Sequence, residues 1–165
     1  VGIIGLPNAG KSSLLAAVTS AMPKIANYKF TTLNPNLGVM LYDDKEITLA
    51  DIPGLIEGAH SGTGLGIKFL KHIERCKTLL HLIDINNENI VHSYNQVRKE
   101  IGKYSKKMLK KKEIIVLNKI DLIDKKEIDQ KKEEFKKVKK KVITISTINK
   151  SNLLKIKSQL LKNVH

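Results

Sequence analysis

The fold is decided by residues 5–12, which read Gly5-Leu6-Pro7-Asn8-Ala9-Gly10-Lys11-Ser12. They fit the pattern G-x-x-x-x-G-K-[ST] and directly follow the apolar run from Val1 to Ile4. This order predicts a buried strand, a phosphate-binding loop and a helix, because the glycines let backbone N–H groups converge on an anion at the helix's positive end. Lys11 would reach the β- and γ-phosphates, and Ser12 would ligate Mg²⁺. The alternative is a glycine-rich turn that binds nothing.

The composition predicts one domain. A chain of 165 residues can bury a full core. No apolar run approaches the roughly 18 residues of a membrane span, and the amino terminus has no signal-like pattern. We therefore expect a cytoplasmic monomer with no membrane span. Cys76 is the single cysteine, so it has no partner for a disulfide or a metal site, and we expect it in the core.

The net charge of +14 is concentrated in the second half of the chain. Residues 1–98 hold 9 basic against 8 acidic side chains, whereas residues 99–165 hold 21 against 8. The excess lies mostly around residues 106–112 and 131–141. Such a basic flank could bind RNA phosphates. The alternative is compositional bias, since nearly all these residues are lysines on predicted helix faces.

Residues 24–36 lack periodicity and predict a long loop over the nucleotide. The loop contains Phe30-Thr31-Thr32. A hydroxyl from a mobile loop can fill one open Mg²⁺ position when the γ-phosphate is present. An ordinary turn is the alternative.

The next segment predicts a hairpin, with strands at 37–42 and 47–50, which leads into Asp51-Ile52-Pro53-Gly54. An Asp at this strand end can hold Mg²⁺ through water, and the Gly54 N–H can contact the γ-phosphate. A plain turn is again the alternative. The glycine-rich residues 55–66 predict a flexible switch segment, in which His60 fits a turn residue better than a general base. A helix is predicted over 65–76.

The second half alternates between apolar runs and helical patterns. We predict strands at 79–85, 114–117 and 142–145, and helices at 90–108, 126–137 and about 153–164. The 114–117 strand ends at Asn118-Lys119-Ile120-Asp121, at the edge where open α/β sheets bind ligands. Asp121 can accept hydrogen bonds from guanine N1–H and its exocyclic amine, a donor pair that adenine lacks. Lys119 would lie along the base, and Asn118 would brace the phosphate loop.

Together these motifs predict an α/β P-loop NTPase G domain, with a mostly parallel six-stranded sheet, one antiparallel edge strand and helices on both faces. Backbone N–H groups of Ser146-Thr147-Ile148 would contact guanine O6. The predicted nucleotide-binding residues are Gly5, Pro7, Asn8, Ala9, Gly10, Lys11, Ser12, Ser13, Phe30, Thr31, Thr32, Asp51, Gly54, Asn118, Lys119, Asp121, Ser146, Thr147 and Ile148.

The motifs GLPNAGKS, FTT, DIPG, NKID and IST resemble those of translation-factor-related GTPases. The stretches PKIANYKFTTLNPNLGV and ADIPGLIEGAHSGTGLGIKFLKHIERC more narrowly resemble the Obg family of ribosome-associated GTPases. The resemblance implies that residues 1–165 are the G domain alone, without the family's glycine-rich amino-terminal and variable carboxyl-terminal domains. It selects Thr32 as the Mg²⁺-binding threonine. The chain departs from the family at Asn27 and Lys29, where Asp and Pro are common, and at Thr147, where Ala is usual.

The resemblance also implies a role: a GTP-hydrolysing switch in assembly of the large ribosomal subunit, with GTP, GDP, ppGpp and ribosomal RNA as partners. Lys11, Thr32 and Gly54 are the predicted catalytic residues. Leu55 stands where Ras-like enzymes place the water-orienting glutamine, so we expect slow turnover. Asn8 matches the asparagine that binds K⁺ in some related GTPases. Two alternatives stay open: a P-loop ATPase or nucleotide kinase, and a guanine-nucleotide or alarmone-sensing RNA-docking module with negligible hydrolysis.

Overall fold

The computed structural model describes residues 1–19, 24–25, 36–51 and 74–164, with backbone only at 24, 25 and 104. These ranges contain strands β1 (Gly2–Ile4), β2 (Lys24–Ile25), β3 (Asn36–Tyr42), β4 (Lys45–Asp51), β5 (Thr78–Asp84), β6 (Lys112–Asn118) and β7 (Val142–Thr144). The helices are α1 (Lys11–Val18), α2 (Ile90–Tyr104), α3 (Lys106–Leu109), α4 (Lys125–Lys137) and α5 (Leu153–Val164). The helix predicted over 65–76 lies almost wholly outside the described residues.

The strands form one sheet in the order β2-β3-β4-β1-β5-β6-β7. Pairing is parallel from β4 through β7, whereas β3 is antiparallel to both of its neighbours. The predicted fold class, an α/β P-loop G domain with a mostly parallel six-stranded sheet, is confirmed, with the two-residue β2 as a seventh strand. One detail differs: β2 pairs with the outer side of β3, so the antiparallel strand is not at the edge. Two residues are too few to show a hydrophobic period, which is why the sequence predicted only a loop there.

The core lies on both faces of the central strands. On one face, Leu14 and Leu15 of α1 and Ile156 of α5 belong to the same buried cluster as strand residues of the sheet. On the other face, Val97 and Ile101 of α2 pack with residues of β1 and β5. Burial on both faces explains why β1, β5 and β6 appear in the sequence as continuous apolar runs. The same arrangement brings the carboxyl ends of these strands to one edge.

The single long helix predicted over 90–108 is wrong, because the chain breaks at Ser105. Its backbone is extended, with φ −153° and ψ 111°, and separates α2 from α3. The Ser105 hydroxyl donates to Glu74 Oε1 at 2.6 Å. Met108 is still buried, so the hydrophobic spacing persists across the break. A polar contact to a residue 31 positions away leaves no trace in local periodicity.

Two further predictions concern Cys76 and membrane-spanning segments. Cys76 is a free thiol of intermediate exposure rather than a core residue. Within the described ranges, no helix is long and apolar enough to cross a membrane.

Candidate nucleotide-binding site

The loop between β1 and α1 has the tight geometry that its glycines predict. Gly10 has φ +93°, and a Cβ there would lie 2.4 Å from Asn118 Nδ2. A Cβ on Gly5 would lie 2.3 Å from the Leu82 carbonyl oxygen. Neither position has room for a side chain, because the loop lies directly against the ends of β5 and β6. The sheet therefore fixes the shape of the loop.

Lys11 lies across this loop. Its Nζ donates to the carbonyl oxygens of Gly5, at 3.2 Å, and Leu6, at 3.1 Å. These contacts hold the ammonium group against the loop, where a polyphosphate would meet it. Pro7 and Asn8 are exposed at the tip of the loop, and Asn8 adopts a left-handed conformation with φ 64°. Ala9 is buried beneath them, and Ser13 is exposed in the first turn of α1.

Ser12 and Asp51 come together from positions 39 residues apart. Asp51 ends β4, which pairs in parallel with β1 and so stops beside the phosphate loop. The Ser12 hydroxyl donates to Asp51 Oδ2 at 2.8 Å. The carboxylate is only 4% exposed, and its Oδ1 has no partner among the described residues. A buried carboxylate oxygen beside a hydroxyl fits a Mg²⁺ ion held by Ser12 and, through water, by Asp51.

The described residues contain no cluster of three His, Cys, Asp or Glu side chains that could hold a metal. Mg²⁺ bound with a nucleotide takes most of its ligands from phosphates and water, so this site does not require such a cluster.

Asn118 links the predicted base site to the phosphate loop. Its side chain is fully buried at the end of β6, and its Nδ2 donates to the Ala9 carbonyl oxygen at 3.0 Å. Lys119 follows with φ 70° and forms an ion pair with Asp84 at 2.5 Å. Asp84 was not among the residues predicted from the sequence. Its signal was a polar residue at the end of the strand next to β6, in register with Asn118.

Asp121 and Ser146 form the other side of the predicted base site. Asp121 is exposed, and its Oδ1 accepts a hydrogen bond from the buried Ser146 hydroxyl at 2.5 Å. The Ser146 N–H donates to the Ser151 carbonyl oxygen at 3.2 Å, so this predicted O6 donor is already used inside its own loop. Thr147 is half-buried, and Ile148 is 77% exposed. Any backbone contact to O6 therefore falls to Thr147 or Ile148.

A buried polar cluster lies behind the phosphate loop. His81 is fully buried, and its Nδ1 lies 3.0 Å from Glu113 Oε1, while the Tyr94 hydroxyl donates to Glu113 Oε2 at 3.1 Å. Burial, partly opposed by Glu113, lowers the pKa of His81. Burial and the Glu113 carboxylate raise the pKa of Tyr94 to about 12. Burial alone would raise the pKa of Glu113, but hydrogen bonds and the Arg98 charge hold it below its usual value. The cluster is therefore a neutral histidine beside an ionised carboxylate.

Four predicted site residues lie outside the described residues: Phe30, Thr31, Thr32 and Gly54. Leu55 and His60 do so as well.

A phosphate loop tied by one asparagine to the strand end that presents Asp121 defines a guanine-nucleotide-binding domain of the P-loop class. Comparison with known proteins agrees with this class. The family model described as "50S ribosome-binding GTPase" matches residues 1–119. The chain belongs to this GTPase family.

Individual relatives are more specific. A protein named GTPase Obg from Pelagibacter ubique (strain HTCC1062) is 67% identical over 165 residues, which are 99% of this chain and 50% of that protein. Aquifex aeolicus Era, in a crystal structure of a point variant bound to GDP.AlF4-, superposes with a TM-score of 0.75. It is 27% identical and covers 99% of this chain and 56% of that one. Era in complex with MgGDPNP and nucleotides 1506–1542 of 16S ribosomal RNA gives a TM-score of 0.73 at 28% identity, covering 98% of this chain and 55% of that one.

These matches confirm the predicted resemblance to the Obg family of GTPases. The chain spans about half the length of the Obg proteins that it matches.

Proposed function

We propose that this chain is a Mg²⁺-dependent, slowly hydrolysing GTP switch that acts in assembly of the large ribosomal subunit in the cytoplasm. The observation that carries the proposal is the hydrogen bond from Asn118 Nδ2 to the Ala9 carbonyl oxygen. It joins the strand end that would recognise the base to the loop that would hold the phosphates. Nucleotide identity and phosphate state would thus be sensed by one connected structure.

Base selection is assigned to Asp121. The Ser146 hydroxyl holds one of its oxygens, while the side chain stays exposed toward an incoming base. A carboxylate accepts but cannot donate, so it matches the N1–H and exocyclic amine of guanine and not the unprotonated N1 of adenine. A site built to satisfy such donors rejects an analogue without them by several orders of magnitude.

Hydrolysis would rely on charge neutralisation and positioning, since the nucleophile is water. When bound, Mg²⁺ supplies positive charge beside the β- and γ-phosphate oxygens. Lys11 would leave its two loop carbonyls for the phosphates, and Ser12 and Asp51 would hold the metal. We also propose Thr32 as a metal ligand and Gly54 as a γ-phosphate contact. The apolar Leu55 cannot orient the attacking water, so basal turnover should be slow.

We propose further that K⁺ at Asn8 contributes positive charge near the phosphates. Asn8 is exposed at the loop tip, and its left-handed backbone turns the loop there. The test compares turnover in KCl and NaCl at equal ionic strength, for the wild type and Asn8→Ala. Faster turnover in KCl that Asn8→Ala abolishes supports the role. Equal rates in the two salts would contradict it, and Asn8 would then only shape the loop.

The ribosomal partner is proposed from the family description and from the RNA-bound Era neighbour. The guanine base and diphosphate of ppGpp would compete for the same pocket as GDP. The second candidate, a nucleotide-sensing RNA-docking module with negligible hydrolysis, is favoured by Leu55. The third, a P-loop ATPase, is disfavoured by Asp121. We expect the domain to act as a monomer.

Multiple-turnover phosphate release from GTP, with and without large ribosomal subunits, tests the main proposal. Slow release that rises with subunits supports a GTPase switch on the ribosome. If release stays at the no-enzyme rate under both conditions while GDP still binds, the docking-module function replaces it.

A further inference from the structure

Two lysine runs meet at the sheet edge opposite the nucleotide site. Residues 106–112 contain five lysines, residues 136–141 contain five, and neither run contains an acidic residue. The first run leads into β6 and the second into β7, and these strands are parallel neighbours. Because both runs precede their strands, they lie together at the amino-terminal edge of the sheet. We call their exposed lysines the basal lysine patch.

The patch is separated from the candidate site by the full length of β6. That strand starts at Lys112 in the patch and ends at Asn118 in the site. Six steps of about 3.3 Å place the two roughly 20 Å apart. A ligand on the patch therefore need not compete with the nucleotide.

The patch keeps its charge uncompensated. Among the described residues, Lys136 is the one exposed lysine of either run that forms an ion pair, with Glu133. The nearest carboxylate in sequence, Glu113, is turned inward to His81, Tyr94 and Arg98. Lys111 is half-buried, and its Nζ donates hydrogen bonds to the carbonyl oxygens of Glu74 and Cys76, both at 2.6 Å, so it is not counted among the exposed lysines of the patch. A concentration of cations without counter-ions favours a polyanion.

The side chains around the patch indicate what kind of polyanion fits. Tyr94 is only 5% exposed and lies beneath Lys140, whose Nζ is 5.9 Å from the ring centroid, so it cannot stack on a base. A single strand, which binds through such stacking, is therefore disfavoured. Met108 is fully buried and Val138 is 45% exposed, so little apolar surface is available for insertion into a membrane. Among the side chains that the structure describes, the patch lysines have no exposed aromatic partner and little exposed apolar surface near them, which matches the phosphate backbone of a double helix.

We propose that the basal lysine patch binds double-helical RNA through its phosphates, without sequence preference and independently of the nucleotide. The choice of RNA rests on the proposed ribosomal function. The patch would hold the domain on structured RNA while the opposite edge of the sheet exchanges and hydrolyses GTP.

The test uses the 165-residue chain and a fluorescein-labelled RNA duplex of roughly 16 base pairs. A patch variant replaces Lys107, Lys110, Lys139 and Lys141 by Gln. The matched control replaces Lys125, Lys126, Lys150 and Lys155 by Gln; these four exposed lysines follow the carboxyl ends of β6 and β7, at the opposite edge of the sheet, and their replacement removes the same charge. Fluorescence anisotropy measures RNA affinity across a salt series, with and without GDP.

We expect the patch variant to lose at least about tenfold in RNA affinity near 0.1 M salt, and its salt dependence to become shallower by about one unit per lysine. The control should stay within about twofold of the wild type, since its lysines lie off the contact surface. GDP should change neither result.

Several results would overturn the proposal: equal losses in both variants, no binding by the wild type, or a patch variant that loses affinity for phosphatidylserine vesicles or an acidic protein but not for RNA. GDP binding by calorimetry is measured on every variant. Asp121→Asn is included because it should alter nucleotide preference and leave RNA affinity intact, which separates failure of the patch from failure of the nucleotide site.

Discussion

Asn118→Ala is the substitution that most directly tests the connection between the base site and the phosphate loop. The Asn118 side chain is fully buried, and its Nδ2 donates to the Ala9 carbonyl oxygen at 3.0 Å. Truncation removes that donor and leaves space beside Gly10, whose Cα faces the same amide group. The loop can then relax from the shape that receives phosphates.

The magnitude follows from the contact that is lost. Leaving a buried carbonyl without its donor costs about 1–3 kcal/mol, which corresponds to roughly 5- to 150-fold in an equilibrium constant. Asn118→Ala should therefore lower the affinity for nucleotide more than it lowers the free energy of unfolding. Asn118 Oδ1 is itself buried without a partner among the described residues, so its removal offsets part of the cost in stability.

The assay is isothermal titration with Mg²⁺-GDP, accompanied by urea unfolding of each variant. Asn163→Ala is the matched control, because Asn163 Nδ2 also donates to a backbone carbonyl, that of Gln159 at 2.8 Å, but on α5. We expect roughly 5- to 150-fold weaker GDP affinity for Asn118→Ala and no change for the control. A folded Asn118→Ala variant that binds GDP within about twofold of the wild type would refute the reasoning, as would an equal loss in Asn163→Ala.

Three further predictions follow from other parts of the site. Gly10→Ala should weaken GDP binding by at least about tenfold, because Gly10 has φ +93° and the added Cβ would lie 2.4 Å from the buried amide nitrogen of Asn118. Calorimetry measures the affinity, and the control Gly102→Ala, inside α2, should leave it unchanged. Asp51→Asn should weaken Mg²⁺ binding to the nucleotide complex by about 10- to 100-fold and leave affinity in EDTA unchanged; an equal loss in EDTA would contradict its role. The free energy of unfolding should decrease as pH falls below 6.5, by up to about 1.4 kcal/mol per pH unit, because the lowered pKa of His81 lets the unfolded state take up the proton first. Urea unfolding measures this decrease, which His81→Asn should lack; the lowered pKa of Glu113 should add a further loss only below pH 4.5, its ordinary pKa.

Much of the fold could be predicted because the sequence pattern of each strand and turn lies within that strand or turn. The continuous apolar runs of β1, β5 and β6 reflect burial on both faces, and the glycines at 5 and 10 mark a turn with no room for Cβ atoms. Features that depend on distant partners could not be predicted this way. At the helix break, the Ser105 hydroxyl donates to the distant Glu74, and the two-residue β2 is paired with β3.

The candidate site shows the same division. Its motifs placed Asn118 and Asp51 beside the loop, because parallel strands end at a common edge. The partner of Lys119 was missed, since Asp84 belongs to no motif and its position depends on the register of β5 with β6. The use of the Ser146 amide within its own loop was also missed, because it depends on how the chain turns back at Ser151.

The central claim is that Asp121 recognises the guanine base of a nucleotide whose phosphates are held by the loop at residues 5–12. Calorimetry with GDP, ADP and xanthosine diphosphate, on the wild type and Asp121→Asn, tests it most directly. We expect the wild type to prefer GDP over ADP by at least about 10³-fold, and Asp121→Asn to shift preference to xanthosine diphosphate, because an amide can donate to the xanthine C2 carbonyl. Equal wild-type affinities for GDP and ADP, or an unchanged preference in Asp121→Asn, would contradict the claim.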